Sequence, residues 1–449
     1  MSRSWASAVL LLTLLFVTRA SPASGQTWHI APGGTGDAPT IQAGVDSAAA
    51  GDTLLLADGE FSGEGNRNVD YKGKAIVITS ASGSTVINPR YPDDTEPRRG
   101  FIFKSGEGPD AVLDGVSVIY AHADTGSAVL CTNASSPTIR SCSFDACGEH
   151  PVPNLTCGGG MACLAGSSPE VTDCDFYENE ATYGAGVYSE DSSPTLYYIS
   201  FTDGEAMSGA GLYSVGGYPE VLGCNFAGGV AADSGGGVYH REGWVIIVGC
   251  SFKGAQADYG GGLCLVGVWE GSHADIGLST FCDNWALLGG GGIFFTDAHG
   301  NSEINLTRCT LAYDVSWAGA GVGLQGHGML SLYYTLIAFN ERSEAITIGE
   351  NDFFMIECTD IYGNEDGDWV GSLAEYLGED GNFSADPLFC NEPAGFVCSL
   401  PVESCSPCLQ GNHPDGYLCI GGVGAHGEGC ECGSASQPTT WGAIKAMYR

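Results

Sequence analysis

The motif Gly-[Gly/Ala]-Gly followed by an aliphatic residue occurs seven times, and its spacing constrains the fold of this chain more than any other feature. One copy reads YGAGVYS, from Tyr183 to Ser189. The third glycines of the seven copies are Gly160, Gly186, Gly211, Gly237, Gly262, Gly292 and Gly321, so the successive intervals are 26, 25, 26, 25, 30 and 29 residues. A fixed interval of about 25 residues indicates stacked structural repeats.

A second column of residues recurs in step with the glycines and has the form Cys-x-Phe or its equivalent. Its aromatic or aliphatic members are Phe144, Phe176, Phe201, Phe226, Phe252, Phe281, Leu311, Ile337 and Ile361. Cysteine, serine, threonine or isoleucine stands two positions before each of them. Asparagine recurs three positions after four of them, at Asn179, Asn284, Asn340 and Asn364.

The repeats are too short for helical repeat units or propeller blades, which need about 33 residues or more. Their richness in glycine, β-branched and aromatic residues, with turn residues every few positions, predicts short strands. A coil of about 25 residues holds two or three such strands, and each coil pairs in parallel with the next at ~4.8 Å. We therefore expect a parallel β-helix in which the residues after the glycines stack inward, at Met161, Val187, Leu212, Val238, Leu263, Ile293 and Val322.

The same picture assigns roles to the other columns. The Phe and Cys columns should line a second inner wall, because free cysteine packs as a small hydrophobic residue. The glycines should lie where the coil bends or where backbones approach closely. Asparagines in register should form a ladder of hydrogen bonds that satisfies buried backbone groups.

Two stretches resemble a known superfamily. TIQAGVDSAAAGDTLLLADGEFSG, from Thr40 to Gly63, is similar to the opening of right-handed parallel β-helix proteins of the pectate-lyase-like superfamily. The coils with CxFxxNxA, best seen from Cys174 to Ala181, resemble repeats of polymorphic-membrane-protein-like bacterial surface proteins. ADPLFC, from Ala385 to Cys390, resembles the closing segment of exported bacterial β-helix proteins. The resemblance implies an all-β, right-handed parallel β-helix but no particular activity, since the superfamily holds lyases, hydrolases and non-enzymes. At about 25 residues per coil, the roughly 330 positions from Thr53 to Ser384 give roughly 13 coils.

These observations predict four regions. Residues 1–25 form an export signal, because Ala8 to Val17 is an apolar run too short to span a bilayer and is followed by small residues. Residues 26–384 form the β-helix, and its first coil is capped by a short helix on which Ile41, Val45 and Ala48 share one face. Residues 385–433 form a cysteine-rich C-terminal cap. Residues 434–449 form a linker and a short tail, for which a sorting role and a frayed end are both open.

Composition and the signal limit the partners. The formal net charge is −37, from 53 acidic and 16 basic residues. Such a polyanion should not bind nucleic acid, which requires Lys and Arg to displace counterions. The export signal predicts a secreted or cell-surface protein with no membrane-spanning segment after cleavage.

All 19 cysteines follow the signal, so disulfides are permitted. We expect Cys147 and Cys157 to close the insertion between them. Cys131 and Cys163 occupy one column on adjacent coils, where stacked thiols and a bridge both remain open. The C-terminal candidates for disulfides are Cys390, Cys398, Cys405, Cys408, Cys419, Cys430 and Cys432.

Clustered acids are the candidate metal ligands. Asp173, Asp175, Glu178 and Glu180 lie close together in one coil, and carboxylate oxygens suit Ca²⁺. A solvated acidic face is the alternative interpretation. No cofactor is required by this sequence, and Ca²⁺ is the one ion that it suggests.

Catalytic patterns of the related enzymes are incomplete here. Polygalacturonases share an ordered set of Asn-Thr-Asp, Asp-Asp, His-Gly and Arg-Ile-Lys. This chain has Asp93-Asp94, His299-Gly300 and His327-Gly328, but neither Asn-Thr-Asp nor Arg-Ile-Lys. No catalytic residue is predicted.

An aromatic column supplies the candidate ligand-binding residues. Tyr188, Tyr213 and Tyr239 each follow an inward aliphatic residue, so strand alternation should turn them outward, and Phe294 continues the column. Such a ladder is suited to stacking on sugar rings. Alternatively, the stacked rings simply stabilise parallel strands.

The first hypothesis is a non-catalytic exported or cell-surface β-helix that presents an elongated face for adhesion or for binding polysaccharide or cell-surface glycan. The second is a lyase or glycoside hydrolase acting on acidic polysaccharide. The third is a structural spacer in an envelope or matrix.

Overall fold

A computed structural model describes residues 25–90, 98–148, 156–268, 271–297, 299–300, 302–349, 353–390 and 397–433. The predicted signal and tail, and Asp93-Asp94, lie outside these residues, except for Gly25. None of the helices in the described ranges has the length and apolar character needed to cross a membrane.

The chain winds into a solenoid whose coils contribute strands to three long parallel sheets. Sheet 1 has thirteen strands: Thr27–Ile30, Thr53–Leu56, Val77–Ser80, Val112–Asp114, Thr138–Arg140, Glu170–Thr172, Thr195–Tyr197, Glu220–Leu222, Gly243–Val248, Ser272–Gly277, Glu303–Thr307, Met329–Tyr333 and Phe353–Glu357. Sheet 2 has twelve: Gly59–Ser62, Thr85–Asn88, Val116–Ile119, Ser143–Asp145, Asp175–Tyr177, Ser200–Thr202, Asn225–Ala227, Ser251–Lys253, Thr280–Cys282, Thr310–Ala312, Leu336–Ala338 and Asp360–Tyr362.

Sheet 3 has eleven strands: Val69–Asp70, Phe101–Phe103, Val129–Cys131, Met161–Leu164, Val187–Glu190, Leu212–Val215, Val238–Arg241, Leu263–Gly267, Ile293–Asp297, Val322–Gly326 and Ile346–Thr347. Sheet 4 lies between sheets 2 and 3 along the chain and has four strands: Glu205–Ser208, Val230–Ser234, Gln256–Tyr259 and Trp285–Gly289. Sheet 5 pairs Val402–Glu403 with Glu428–Cys430. The thirteen strands of sheet 1 agree with the predicted number of coils.

The predicted core columns are confirmed. The residues after the glycines are buried and pair in register from coil to coil, as Val187 does with Leu212 and Leu212 with Val238. In sheet 2 the Phe201 and Phe226 rings stack at 4.8 Å, and Phe226 and Phe252 stack at 4.6 Å. Burying each such side chain contributes about 1.5–3 kcal/mol, so the columns form the main stabilising element of the solenoid.

The glycine motif serves two different needs. The first glycine of a copy, such as Gly184, has a φ of 62°, a left-handed conformation that L side chains rarely adopt. The third glycine faces the aromatic column, because a methyl group on Gly211 would lie 2.5 Å from Cδ1 of Phe226. The predicted bend and the predicted close approach are thus both present, at different positions of the motif.

The asparagine ladder is also confirmed. Asn340 Nδ2 donates to the carbonyl oxygen of Leu311 on the preceding coil at 3.2 Å and to Asn364 Oδ1 at 2.8 Å. Asn179 makes the equivalent bond to Phe144 O at 2.8 Å. Asp314 occupies the same column between Asn284 and Asn340, a substitution that the sequence pattern did not bring out.

The N-terminal end is closed as predicted by the helix Ile41–Ser47, here α1. Thr40 caps it, since its side chain accepts a hydrogen bond from the backbone N–H of Ala43 at 3.2 Å. Ile41, Val45 and Ala48 are buried against the first coil.

The C-terminal end combines residues of the main core with a disulfide-rich segment. Trp369 and Leu373 join the main core, and Leu373 lies in the 3₁₀ helix Gly371–Tyr376. Residues 397–433, here called the C-terminal strap, instead run back along the outer face of sheet 2. The backbone N–H of Cys398 donates to Ser251 Oγ at 2.8 Å, and that of Ala425 donates to Thr310 Oγ1 at 2.9 Å. Outward hydroxyl groups on sheet 2 thus satisfy the backbone of a segment that makes little regular structure itself.

Four disulfides involve the strap. Cys390 pairs with Cys430 and Cys405 with Cys432, whereas Cys398 pairs with Cys282 and Cys419 with Cys358 in the solenoid. The cysteine-rich segment is therefore tied to the coils as well as to itself.

Cys408 is not in a disulfide, which corrects the prediction for this residue. Its thiol is buried and donates to Asp360 Oδ2 at 3.3 Å. Burial raises the pKa of Asp360 to about 8, and that carboxyl also accepts a bond from Ala385 N at 3.0 Å.

The expected bridge between Cys147 and Cys157 is wrong, because both are free. Cys147 is fully buried in the core, and its thiol lies 3.5 Å from the carbonyl oxygen of Val118. Cys157 pairs through its backbone with Thr125 and Tyr183 on the adjacent coils, so the two cysteines belong to different columns.

Candidate functional site

The outer face of sheet 1 changes character along the solenoid. Five consecutive strands, from Val112–Asp114 to Glu220–Leu222, are three residues long. The next five, from Gly243–Val248 to Phe353–Glu357, are five or six residues long. Longer strands place three outward side chains per coil on a flat surface, here called the wide face.

The wide face holds an ordered polar cluster around Asp275. The indole Nε1 of Trp244 donates to Asp275 Oδ2 at 3.1 Å, and Asn305 Nδ2 donates to Asp275 Oδ1 at 3.0 Å. The Trp244 ring also lies 5.7 Å from the ring of His273. Three adjacent coils therefore fix one carboxylate and one indole ring, although Trp244 remains 42% exposed.

Aromatic side chains stand at both ends of this surface. Tyr218 is 66% exposed and lies one coil before Trp244, whose backbone N–H donates to Gly217 O at 3.2 Å. Phe353 is 70% exposed on the last strand, beside Met355. From Tyr218 to Phe353 the stack advances by five coils, roughly 24 Å at ~4.8 Å each. Tyr218, Trp244 and Phe353 thus place three exposed aromatic side chains along one side of the solenoid.

An open cavity borders the wide face where sheet 3 connects to sheet 1. Its volume is about 530 Å³, and its lining residues are His299, Gly300, His327, Met329 and Phe353. The two His-Gly pairs noted in the sequence thus come together in space. They belong to adjacent coils, since a methyl group on Gly300 would lie 3.4 Å from Cβ of His327.

The predicted tyrosine ladder forms, but much of it is covered. The rings of Tyr188 and Tyr213 stack at 5.4 Å, and those of Tyr213 and Tyr239 at 4.7 Å. Tyr213 is only 9% exposed, because the ring of Tyr183 also packs against it at 4.9 Å. Desolvation by burial raises the pKa values of all three ladder tyrosines.

Phe294 is 7% exposed and contacts Tyr259 at 4.8 Å between ring centres. Neighbouring rings therefore cover most of the outward-facing rings of Tyr213 and Phe294. This packing supports a stabilising role for them, and ligand binding by Tyr188, Tyr213, Tyr239 and Phe294 stays a prediction.

The four acids suggested for Ca²⁺ are spread around one coil. Asp175 faces outward from sheet 2, Asp173 and Glu178 lie in the turns on either side of that strand, and Glu180 pairs through its backbone with Glu205. Among the described residues, the one group of three acidic, Cys or His side chains with ligand atoms within 4.8 Å is Glu403, Cys405 and Cys432, and two of these share a disulfide.

The acidic side chain that acts on Asp175 is Asp145 of the preceding coil, which is not one of the four predicted calcium ligands. Desolvation raises the pKa of Asp175, and the negative charge of Asp145 adds to the effect. Asp145 in turn accepts a hydrogen bond from Ser143 Oγ at 2.6 Å. Calcium binding by the four predicted acids stays a prediction.

A family model described as "Right handed beta helix region" matches residues 64–267. The protein is a right-handed β-helix. The match ends with the strand Leu263–Gly267 of sheet 3, and the pairing of sheets 1 to 3 continues the same winding to Tyr362.

A crystal structure of the pectate lyase Pel9A is similar to this β-helix, with a TM-score of 0.40 and 14% sequence identity. The similarity covers 91% of this chain and 97% of that one. At this level it says nothing about the activity of the β-helix described here. No curated protein matches the sequence.

Sequence reasoning missed the wide face of the β-helix. For the strands Ser272–Gly277 and Glu303–Thr307 a signal was present, because the spacing of the glycine motif rises to 30 and 29 residues after Gly262, whereas the strand Gly243–Val248 lengthens within an interval of 25 residues. The extra residues fall partly in the strands of sheet 1, which lengthens them. Which side chains then face outward together depends on the register between coils.

Proposed function

We propose that this protein is an exported or cell-surface, non-catalytic β-helix whose wide face binds a neutral or amino-bearing polysaccharide. The observation that carries the proposal is the fixed cluster of Trp244, Asp275 and Asn305. An exposed indole that is oriented by a carboxylate matches the combination of stacking and hydrogen bonding by which flat sugar rings are bound.

The shape of the wide face supports a long ligand. Tyr218, Trp244 and Phe353 lie along a line of roughly 24 Å parallel to the stack. Trp244 and Phe353 lie in strands, which are rigid elements, so little conformational entropy is lost when they bind a ligand.

Charge favours neutral or cationic sugars over polyuronates. The outward positions of the five long strands include Asp275, Glu303 and Glu357 but no Lys or Arg. The whole chain carries a net charge of −37, so like-charge repulsion opposes the approach of an acidic polysaccharide.

The four disulfides support export, since such bonds persist in oxidising compartments. Fractionation of the source cells, with N-terminal sequencing of the mature protein, tests this part of the proposal. Recovery of the full-length chain from the cytosol would contradict it.

Binding is tested by calorimetry of the purified protein with soluble neutral glucans, an amino-sugar polymer and polygalacturonate. We expect binding to one of the first two classes, and Trp244→Ala and Phe353→Ala should each weaken it. Tyr120→Ala is the matched control, because Tyr120 is 49% exposed but lies at a turn beside sheet 2. Preferred binding of polygalacturonate, or equal effects of all three variants, would contradict the proposal.

The same samples distinguish the alternatives. New reducing ends or unsaturated products would establish a polysaccharide-degrading enzyme. Absence of both binding and products across the panel would favour a structural spacer.

A further inference from the structure

The outer face of sheet 4 ends in a group of exposed apolar side chains. In its last strand, Trp285–Gly289, Leu287 is 39% and Leu288 is 47% exposed. On the next coil Trp317 is 63% exposed. These three side chains are here called the sheet 4 patch.

The backbone aligns the two coils that carry the sheet 4 patch. Two hydrogen bonds of 2.9 Å, from Ala286 N to Val315 O and from Gly290 N to Ala318 O, flank the patch on either side. The two leucines and the tryptophan therefore lie on adjacent coils, about 4.8 Å apart along the stack. Contiguous apolar surface, unlike a single exposed side chain, marks a site of interaction with another molecule.

Charges of opposite sign lie on the two sides of the patch along the stack. Asp258 lies one coil before the leucines, in the strand Gln256–Tyr259, which pairs with the strand Trp285–Gly289. Arg342 lies one coil after Trp317 and is exposed. Its guanidinium carbon is 5.3 Å from the centre of the Trp317 ring, which holds the positive charge beside the patch.

This arrangement is complementary to itself. A two-fold axis midway between the Leu287 coil and the Trp317 coil packs the patch of one copy onto the patch of another. The same axis brings the coil of Asp258 in one copy opposite the coil of Arg342 in the other, because the two coils are equally far from the axis. The contact then has an apolar centre and one pair of opposite charges at each end.

We infer that two copies of this chain form a two-fold symmetric dimer through the sheet 4 patch. Sheet 4 and sheet 1 occupy different sides of the coil, so the dimer is independent of sugar binding by the wide face. Each copy has a net charge of −37, but long-range repulsion is largely screened at about 0.15 M salt, where the Debye length is about 8 Å.

Sedimentation velocity of the purified protein at this ionic strength tests the inference. We expect a reversible equilibrium between monomer and dimer at concentrations from about 1 µM to about 100 µM. Leu288→Glu should weaken dimerisation at least about tenfold, because it buries an unpaired charge in the apolar contact. Leu278→Glu is the matched control and should leave dimerisation unchanged, since Leu278 is 50% exposed in the turn between sheets 1 and 2.

Reversal of the charges tests the two-fold arrangement itself. Arg342→Glu and Asp258→Arg should each weaken dimerisation, because each places like charges opposite one another at both ends of the contact. The double variant restores opposite charges across the axis and should recover most of the lost affinity.

Circular dichroism verifies that each variant is folded. A monomer at every concentration would mean that something other than a second copy covers the patch, and it would overturn the inference. Equal dimerisation of Leu288→Glu and Leu278→Glu would do the same, as would a double charge variant that dimerises no better than either single variant.

Discussion

Asp314 Oδ1 accepts two hydrogen bonds from Asn284, one from the backbone N–H at 3.0 Å and one from the side-chain amide at 2.9 Å. The other oxygen, Oδ2, is buried and has no hydrogen-bond partner. At the corresponding positions Asn284 and Asn340 place an amide N–H, which donates to a carbonyl oxygen of the preceding coil. Asp314 therefore has a carboxylate oxygen at the position where the asparagines of the ladder have an amide N–H donor.

Desolvation raises the pKa of Asp314 well above its usual value. The folded protein retains a proton that the unfolded chain releases above about pH 4, so this residue makes stability fall as pH rises above that point. Asp314→Asn should increase the free energy of unfolding by about 1–3 kcal/mol at neutral pH, since it satisfies a buried polar group. Urea unfolding at several pH values measures the gain, which should shrink towards pH 4.

Asn340→Asp is the matched control for the ladder. It introduces the same unsatisfied oxygen opposite Leu311, so it should destabilise the protein at neutral pH. If both substitutions have the same sign, the ladder does not discriminate between amide and carboxyl, and this account of Asp314 is wrong.

His240 should give the opposite dependence on pH. Its side chain is fully buried in sheet 3, and desolvation lowers its pKa from 6.5 to about 4. Below about pH 6.5 this imidazole is protonated in the unfolded chain, whereas in the folded protein it stays neutral down to about pH 4. The free energy of unfolding therefore decreases as pH falls from about 6.5 to 4. At about 1.36 kcal/mol per pKa unit the loss approaches about 3 kcal/mol.

His240→Leu tests this assignment, because Leu265 occupies the same column on the next coil. The variant should show a flatter dependence of unfolding free energy on pH between 6.5 and 4 than the parent protein does. An unchanged slope would mean that other groups account for any acid sensitivity.

Gly211 should tolerate no side chain, although its backbone conformation is ordinary. A methyl group there would lie 2.5 Å from Phe226 Cδ1 and 2.7 Å from the carbonyl oxygen of Gly237. Overpacking of this kind costs about 1–3 kcal/mol, and thermal unfolding should show it in Gly211→Ala. Gly108→Ala is the control, since nothing lies within 4 Å of the added methyl, and its effect should stay within about 0.5 kcal/mol.

The part of the C-terminal strap around Cys398 should come away from sheet 2 when its disulfide to Cys282 is removed, while the Cys358–Cys419 disulfide holds the rest of the strap. We expect the double substitution Cys282→Ser and Cys398→Ser to expose residues near Cys398 to limited proteolysis, with the β-helix spectrum retained. Loss of a native disulfide typically costs about 2–4 kcal/mol. Cys405→Ser with Cys432→Ser removes a bridge inside the strap and should leave it attached, so equal cleavage in both pairs would contradict the arrangement.

Eleven thiols should react when the protein is unfolded without reductant. Four disulfides use eight of the 19 cysteines, and the others are free, including Cys131 and Cys163, which pair in register on adjacent coils. Titration with a thiol reagent gives the number directly. Each bridge between stacked cysteines would lower it by two.

The repeat allowed much of the interior to be predicted. Because the coils stack in register, equivalent positions have the same neighbours in every coil. Aliphatic residues therefore recur at one inward position, as at Val187, Leu212 and Val238. A glycine recurs beside the aromatic column for the same reason, as Gly211 does beside Phe226. The asparagine ladder and the capping helix follow from equally local rules. These features depend on neighbours that are one repeat away along the chain.

The tertiary structure decided what the repeat does not encode. The pairing of Cys398 with Cys282 joins residues 116 positions apart, and it arises because the strap returns along sheet 2. Trp244, Asp275 and Asn305 meet because three strands of unequal spacing align in one register. His299 and His327 line one cavity for the same reason. By itself the sequence determined a stacked interior, whose packing repeats from coil to coil, whereas the outer faces depend on longer-range alignment that no local pattern specifies.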